Sequence, residues 1–146
     1  MKIVFDIDGT LADLSHRLHY IQPAEGEEKD WDGFFAACMD DAPIPHVIQT
    51  LKDLSEMGHP VEFWTGRSEA VREETIQWLM KHLRWPSFAI KLKMRPIGDH
   101  RPDYLLKSDY IDFDDKPDLI FEDRKTVVEM FRRNGIQVFQ VAPGDF

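Results

Sequence analysis

Three features of the sequence predict an α/β fold with a doubly wound, Rossmann-like parallel sheet of five strands. Five short runs of apolar, β-branched or aromatic residues have the length of strands. Segments with helical spacing of apolar residues separate these runs, as in parallel βαβ units with right-handed crossovers. With 146 residues, 42% of them hydrophobic, the chain has the size and composition of one globular domain, which we expect to span residues 1–146.

The predicted strands are spread along the whole chain and are bounded by polar or turn-forming residues. They are KIVFDI at 2–7, PVEFWT at 60–65, FAIKLK at 88–93, DLIFE at 118–122 and QVFQVA at 137–142. Their alternation with helices favours a parallel sheet over a meander of hairpins.

Four helices are predicted between these strands. The first begins after the sequence APIP and ends at Gly58, a residue that commonly follows a helix. The second has Ser68 as its expected N-cap. A shorter third helix covers the region of Leu105 and Leu106, and a fourth lies around 127–131 and is closed by Asn134 and Gly135.

Residues 13–45 fit the alternation poorly, and we interpret them as a small insert after the first strand. The polar stretch PAEGEEKD breaks regular structure, and WDGFFAACM at 31–39 is a candidate for a short helix. Its aromatic residues Trp31, Phe34 and Phe35 allow two interpretations. They can stack on a nucleobase or pack the insert onto the core, and we favour packing.

Composition limits the classes of function. The net charge of −9 argues against a surface that coats nucleic acid. Residues 81–107 are an exception, since this stretch contains seven basic residues and two acidic ones. The basic stretch predicts either a local phosphate-docking patch or a solvated surface.

Cysteine content and hydropathy limit the compartment. Cys38 is the single cysteine, so an intramolecular disulfide and a thiolate zinc cluster are excluded. No apolar run reaches membrane-spanning length and no signal peptide precedes the first strand, so we expect a cytoplasmic protein without a membrane partner.

Side chains with hydroxyl, cationic and carboxylate groups follow the predicted strands at their carboxyl ends. In an open parallel sheet this edge holds the ligand. These residues are Asp6, Asp8 and Thr10 after the first strand, Thr65, Gly66 and Arg67 after the second, and Glu122, Asp123 and Arg124 after the fourth; Lys107 lies ahead of that strand. Clustered acids with oxygen ligands predict a Mg²⁺ site.

The pair Asp6 and Asp8 is suited to two-step phosphoryl transfer. The two acids lie two residues apart, and Gly9 allows the chain to turn so that the second bends over the first. One carboxylate can attack phosphorus while the other moves protons, because different surroundings separate their pKa values. The chain contains no GxxxxGK[ST] loop and no GxGxxG motif, so ATP-binding and dinucleotide-binding functions lack their usual support.

The motifs FDIDGT, Thr65, Lys107 and EDR occur in the order typical of haloacid dehalogenase (HAD) phosphatases, which the chain resembles. The stretches FDIDGTLADLSHR, TGRSE, GDHRPDYLLKSDYI and FEDRKTVVEMFRRNGIQVFQVAPGDF resemble more narrowly the 3′-phosphatase domain of bacteriophage-type polynucleotide kinases. The resemblance covers Lys2 to Phe146 and is weakest between Leu18 and Pro45. It implies the HAD type of doubly wound sheet.

The resemblance also implies a role for individual residues. Asp6 would be the nucleophile and Asp8 the general acid and base, while Thr65 and Lys107 would hold phosphoryl oxygens. Substrate binding would involve four further residues: Thr10, Arg17, Arg67 and Asp103. The expected Mg²⁺ ligands are Asp6, the backbone carbonyl of Asp8, Asp123 and Glu122.

Two departures from the family pattern affect these expectations. Glu122 replaces the usual aspartate, and its longer side chain allows contact with the cation through water. The chain carries no kinase motif, so we expect any kinase or ligase to be a separate partner. The expected substrate is a polynucleotide 3′ end, with a free nucleotide or small phosphate ester as the alternative. A phosphoaccepting receiver domain is a third reading, disfavoured because its phosphorylated aspartate lies on a later strand.

Overall fold

A parallel sheet of five strands forms the centre of the structure, a computed structural model that describes residues 1–145. Phe146, the last residue of the predicted domain, lies outside the described residues. The described strands are β1 (Ile3–Phe5), β2 (Ala12–Asp13), β3 (Ala42–Pro43), β4 (Val61–Ser68), β5 (Leu92–Arg95), β6 (Leu119–Glu122) and β7 (Gln137–Gln140). The α-helices are α1 (Trp31–Ala36), α2 (Pro45–Glu56), α3 (Arg72–Leu83), α4 (Asp103–Ser108) and α5 (Lys125–Arg133).

The sheet has the strand order β5-β4-β1-β6-β7, and every neighbouring pair in it is parallel. The order reverses at β1, because the chain moves to β4 and β5 on one side and to β6 and β7 on the other. This is the doubly wound α/β topology that the sequence predicted, and it makes the carboxyl end of β1 the expected position for a ligand.

Alternating side chains along the strands create a core on each face of the sheet. Ile3 and Phe5 pack on one face with residues of α2 and α3, and Val4 packs on the other with residues of α5. Because both faces are covered, the central strands are apolar on consecutive residues, which is typical of buried parallel strands. Burial of this kind is the main stabilising contribution to such a fold.

The strands differ slightly from their predicted bounds, and two of them, β4 and β5, differ by three residues or more at one end. The second predicted strand ended at residue 65, whereas β4 continues to Ser68 and therefore contains Thr65, Gly66 and Arg67. An irregular register between Trp64 and Ser68 allows β4 to continue past these residues. The third predicted strand at 88–93 was placed too early, because residues 87–89 form a 3₁₀ turn and the strand is Leu92–Arg95.

The second helix also begins later than predicted. Ser68 accepts a hydrogen bond from the backbone N–H of Ala70, so it caps a 3₁₀ turn at Glu69–Val71 and not the α-helix itself. The helix α3 begins only at Arg72. The first helix agrees with the prediction, since α2 covers Pro45–Glu56 and Gly58 follows it.

The segment between β1 and α2 folds as a layer of its own beside the carboxyl edge of the sheet. It contains the antiparallel pair β2–β3, a 3₁₀ helix at Ser15–Tyr20, the predicted short helix α1 and a second 3₁₀ turn at Ala37–Asp40. Leu14, Ile21 and Phe34 form its small buried cluster. Its interpretation as an insert stays a prediction.

The helices of residues 1–145 are too short or too polar to cross a lipid bilayer.

Candidate active site

A cleft of about 690 Å³ opens at the carboxyl edge of the sheet, next to the end of β1. Six of the predicted site residues line it: Asp6, Asp8, Asp103, Lys107, Glu122 and Asp123. Thr10, Thr65, Arg17 and Arg67 lie behind the lining and are fully buried. The structure therefore brings the predicted residues to one place, with some at the cleft and others supporting it.

Asp6 lies directly after β1, where a lysine and a threonine hold its carboxylate. Lys107 Nζ donates to Asp6 Oδ1 over 2.6 Å, and Thr10 Oγ1 donates to Asp6 Oδ2 over 3.1 Å. Burial and the nearby Glu122 raise the pKa of Asp6, and Lys107 opposes that rise. Lys107 itself also contacts Glu122 Oε2 at 2.7 Å. Burial alone would lower the pKa of Lys107, but Asp6 and Glu122 raise it, so its ammonium stays charged.

Three buried acids converge beside Lys107. Ligand oxygens of Asp6, Glu122 and Asp123 lie within 4.8 Å of one another. Asp123 Oδ1 is buried and, among the described residues, has no hydrogen-bond partner. Burial, Asp6 and Glu122 all raise the pKa of Asp123. An unpartnered carboxylate oxygen beside two other acids is the donor set that a hard divalent cation requires, so these residues fit Mg²⁺.

Glu122 accepts hydrogen bonds at both of its carboxylate oxygens. Its Oε1 accepts the backbone N–H groups of Asp123 and Arg124, each at 3.1 Å, and its Oε2 accepts from Lys107. In this cluster, the oxygen without a hydrogen-bond partner among the described residues is therefore Asp123 Oδ1, which we call the open oxygen. The assignment of Glu122 as a metal ligand stays a prediction.

Asp8 is surrounded by guanidinium groups and lies apart from the three converging acids. Its Oδ1 accepts hydrogen bonds from Arg17 at 2.6 Å and from Arg67 at 2.7 Å and 3.0 Å. Burial alone would raise the pKa of Asp8, but Arg67 and Arg17 lower it to about 2. The carboxylate is therefore ionised in the free protein. Gly9, whose φ is 81°, makes the turn that aims Asp8 at the cleft.

Asp41 accepts hydrogen bonds from both arginines. Arg17 makes a two-pronged contact with Asp41 at 2.8 Å and 2.7 Å, and Arg67 contacts the same carboxylate at 3.0 Å. The Arg17 guanidinium also lies over the ring of Phe34, 4.2 Å from its centroid. Because both guanidiniums are buried, their contacts favour positioning of Asp8 over the predicted direct binding of substrate phosphate, which stays a prediction.

Thr65 and Asp103 are placed by contacts with β4 and β5. Thr65 Oγ1 accepts the backbone N–H of Arg67 at 3.1 Å. Asp103, at the start of α4, accepts from Arg95 and from Arg124. Arg95 also donates to the carbonyl oxygen of Gly66 at 2.9 Å, so it ties the end of β5 to β4 and to the helix that carries Lys107.

The basic stretch at 81–107 is largely occupied by internal contacts. Lys93 donates to the carbonyl oxygen of Tyr110 and lies over the ring of Trp64, Arg95 binds Asp103, and Lys107 binds Asp6 and Glu122. Arg101 pairs with Asp99 and Asp109 and lines the cleft. Four of the seven basic residues therefore have internal partners, and the alternative of a phosphate-docking patch stays a prediction.

Asp41 and Arg95 are the site residues that sequence reasoning missed. Asp41 lies in a segment without a motif, and only the fold brings it under the two arginines. Arg95 is the last residue of β5, so the rule that ligands bind at strand ends would have found it. The strand was predicted to end at residue 93, which hid Arg95 from that rule.

Comparison with known proteins agrees with this geometry. The whole chain, residues 1–146, matches the family described as the polynucleotide kinase PNKP phosphatase domain, a HAD-type family. The chain belongs to this family. As a PNKP-type phosphatase domain it is an enzyme of the phosphoric monoester hydrolase class.

Several proteins resemble this PNKP-type domain. A provisionally named bifunctional polynucleotide kinase/RNA ligase of Autographa californica nuclear polyhedrosis virus is 32% identical over 135 residues, which cover 89% of this chain and 17% of the viral protein. A provisionally named nucleotidase of Bacillus cereus is 25% identical over an alignment of 174 positions, which covers 95% of this chain and 85% of that protein. The chain thus spans a small part of the viral relative and most of the bacterial one.

Solved structures show the same fold. A chain of the Pnkp1/Rnl/Hen1 RNA repair complex superposes with a TM-score of 0.79 at 28% identity, over 99% of this chain and 43% of that one. The class C acid phosphatase from Bacillus anthracis superposes with a TM-score of 0.67 at 16% identity, over 99% of this chain and 67% of that one. The second likeness concerns the fold alone.

Proposed function

We propose that this chain is a Mg²⁺-dependent phosphomonoesterase that removes the terminal 3′-phosphate of a polynucleotide through an aspartyl-phosphate on Asp6. The observation that carries the proposal is the position of the Asp6 carboxylate at the cleft, where it is hydrogen-bonded to Lys107 and lies beside the carboxylate of Asp123. A carboxylate held in this way can reach phosphorus while cationic groups accept the charge of the phosphoryl oxygens.

In the first step an Asp6 oxygen forms a bond to phosphorus as the bond to the ester oxygen breaks. Lys107 then serves two functions, since its ammonium orients Asp6 and binds a phosphoryl oxygen. In the second step water attacks the phosphoryl group on Asp6, which restores the carboxylate and releases inorganic phosphate. We assign Thr65 to a phosphoryl oxygen as well, as the family resemblance implies.

Asp8 is the group we assign to proton transfer. It would give a proton to the departing 3′-oxygen and later take one from the attacking water. With a pKa of about 2 in the free protein, Asp8 is deprotonated and can accept a proton from the attacking water. The acid step requires that substrate binding raise this pKa, and the negative charge of a bound phosphate ester acts in that direction.

The cation would be held by Asp6 and Asp123, with the backbone carbonyl of Asp8 and with Glu122 through water. When bound, Mg²⁺ neutralises the clustered acids and polarises a phosphoryl oxygen. The open oxygen of Asp123 supports this placement.

A free nucleotide or another small phosphate ester is the alternative substrate. The resemblance to the Bacillus cereus protein named as a nucleotidase favours it, because that relative is matched over most of its length. We rank the polynucleotide end higher, because the matched family and the repair-complex structure are both named for polynucleotide processing. The same two names, with that of the viral kinase/ligase, support the proposal that this domain acts together with a kinase or a ligase.

Phosphate release from three substrates tests the proposal. We expect the wild-type protein with Mg²⁺ to act on a 3′-phosphorylated oligonucleotide with a higher kcat/KM than on free 3′- or 5′-mononucleotides. EDTA and the Asp6→Asn substitution should each abolish release. Higher efficiency on the mononucleotides would favour the alternative substrate, and full activity in EDTA would contradict the metal requirement.

A further inference from the structure

The cleft continues beyond the catalytic acids along a wall that includes an aromatic ring. Trp31, the first residue of α1, lines the same cleft as Asp6 and Asp123. It is 44% exposed, although the neighbouring Phe34 is almost fully buried. Phe34 and Phe35 line the cleft as well, but Trp31 is the most exposed of the three insert aromatics.

Trp31 is also held in a defined orientation. Its ring stacks against Phe35 at a centroid distance of 6.0 Å and meets the edge of Phe34 at 5.7 Å. Because these two rings support it, Trp31 loses little conformational freedom when a ligand binds. Lys29 Nζ lies over the Trp31 ring, 5.6 Å from its centre, and lines the cleft as well, so a positive charge accompanies the aromatic surface.

The loop 96–102 contributes a second apolar surface to the cleft. Ile97 is 75% exposed and lines the cleft, together with the partly exposed Tyr104. Large apolar side chains that remain exposed at one cleft usually mark a binding surface. The volume of about 690 Å³ lies within the range of small-molecule sites and exceeds what a phosphoryl group alone requires.

We propose that Trp31 forms a nucleobase subsite, on which the base of the nucleotide that carries the scissile phosphate stacks, with Ile97 as an apolar contact. This inference rests on the proposed function and adds the recognition of the leaving group. The observations favour a base over a purely aliphatic group, because a supported indole ring beside a lysine offers both a stacking surface and a contact for an anion. The base of a polynucleotide end and that of a free nucleotide share this chemistry.

Two matched pairs of substrates test the subsite. One pair is a 3′-phosphorylated oligonucleotide and the same oligonucleotide with a base-free tetrahydrofuran analogue as its last sugar. The other pair is a 3′-mononucleotide and its base-free sugar phosphate. The measured quantity is the base preference, which is the ratio of kcat/KM within each pair. The pair with the larger preference identifies the source of the base.

We expect Trp31→Leu to lower the base preference about 5- to 150-fold, the range that corresponds to base–aromatic stacking. Trp31→Phe should retain most of the preference, because it keeps an aromatic face. Phe88→Ala is the matched control, since Phe88 is an aromatic residue that is 89% exposed outside the cleft lining. The fluorescence of the wild-type protein gives a second readout: the mononucleotide should quench it, and Trp31→Phe should remove that quenching.

The outcomes separate this inference from the proposed function. Turnover by the wild-type protein without any base preference, or an equal preference in Trp31→Leu, overturns the subsite and leaves the phosphatase intact. An equal loss on both members of a pair assigns Trp31 a structural role and also overturns the subsite. Absence of turnover on all four substrates overturns the proposed function, and the inference with it.

Discussion

Asp6 and Asp8 lie two residues apart in different environments, and this difference supports the different roles proposed for them. Asp6 shares its surroundings with Glu122 and Asp123, and burial among these acids raises its pKa. Asp8 faces Arg17 and Arg67, which lower its pKa. This separation of the two pKa values is what the proposed roles require, with Asp6 as nucleophile and Asp8 as proton-transfer group.

Asp123 and Glu122 are predicted to contribute unequally. Asp123→Asn removes charge from the carboxylate with the open oxygen, so it should weaken Mg²⁺ binding and activity strongly. Glu122→Gln should have a smaller effect, since Glu122 is already held by Lys107 and by two backbone N–H groups. Activity titrated against Mg²⁺ concentration checks this order. The reverse order would mean that Glu122 is the principal ligand.

Asp41 is predicted to act through the arginines. Asp41→Asn removes one of the two carboxylates that the buried Arg17 and Arg67 share, so the arginines should shift and Asp8 should lose its alignment. We expect kcat to fall about tenfold to a hundredfold while KM changes little. Asp40→Asn is the control, because the neighbouring Asp40 is exposed. Equal kinetics for the two variants would refute the positioning role.

At the scale of elements, the site depends on how β4, β5 and α4 meet. Gly66 lies in β4 against Asp103 at the start of α4, and a Cβ atom at Gly66 would lie 2.7 Å from Asp103 Oδ1. Asp103 is in turn bound by Arg95 from the end of β5. The absence of a side chain at residue 66 therefore allows α4, with Lys107, to approach the sheet.

Gly66→Ala is predicted to displace α4. The added methyl group would force Asp103 away, and we expect a loss of about 1–3 kcal/mol in the free energy of unfolding. Activity should fall further than stability explains, because Lys107 would move from Asp6. Urea denaturation and kcat/KM measured on the same sample check this. A fully active Gly66→Ala protein would show that the contact with Asp103 is dispensable.

The sequence predicted these elements unevenly, for physical reasons. The buried strands and α2 were identified because their apolar patterns are long and regular. The strand near residue 90 was placed too early because Phe88 and Ala89 are apolar yet lie in a 3₁₀ turn, with Phe88 exposed. Asp41 was missed because its role depends on tertiary contacts that leave no local pattern. The cluster around Asp6 was predictable because strand ends converge at one edge.

At the scale of the whole molecule, the acid cluster connects cation binding to stability. The raised pKa values of Asp6 and Asp123 mean that the metal-free folded protein binds more protons than the unfolded chain above about pH 4. The stability contributed by these two groups is therefore fully present below that pH and is lost as the pH rises through the raised values. A bound cation takes the place of these protons and should remove most of the fall.

Urea denaturation at several pH values measures this coupling. In EDTA we expect the free energy of unfolding to decrease from pH 5 to higher pH, and Mg²⁺ at about 100 times its Kd should restore about 2.7 kcal/mol. Asp123→Asn should flatten the decrease, because it removes one of the titrating groups. A metal-free protein whose stability increases over this range would contradict the account of the cluster.

The proposed mechanism depends on transfer of the phosphoryl group to Asp6. Trapping this aspartyl-phosphate tests the mechanism. The protein would be mixed with Mg²⁺ and an oligonucleotide labelled in its 3′-phosphate, quenched in acid within one turnover, digested and analysed by mass spectrometry. We predict label on the peptide that contains Asp6 in the wild-type protein, and none in Asp6→Asn. Label on another residue, or phosphate release without any labelled protein, would contradict the proposed mechanism.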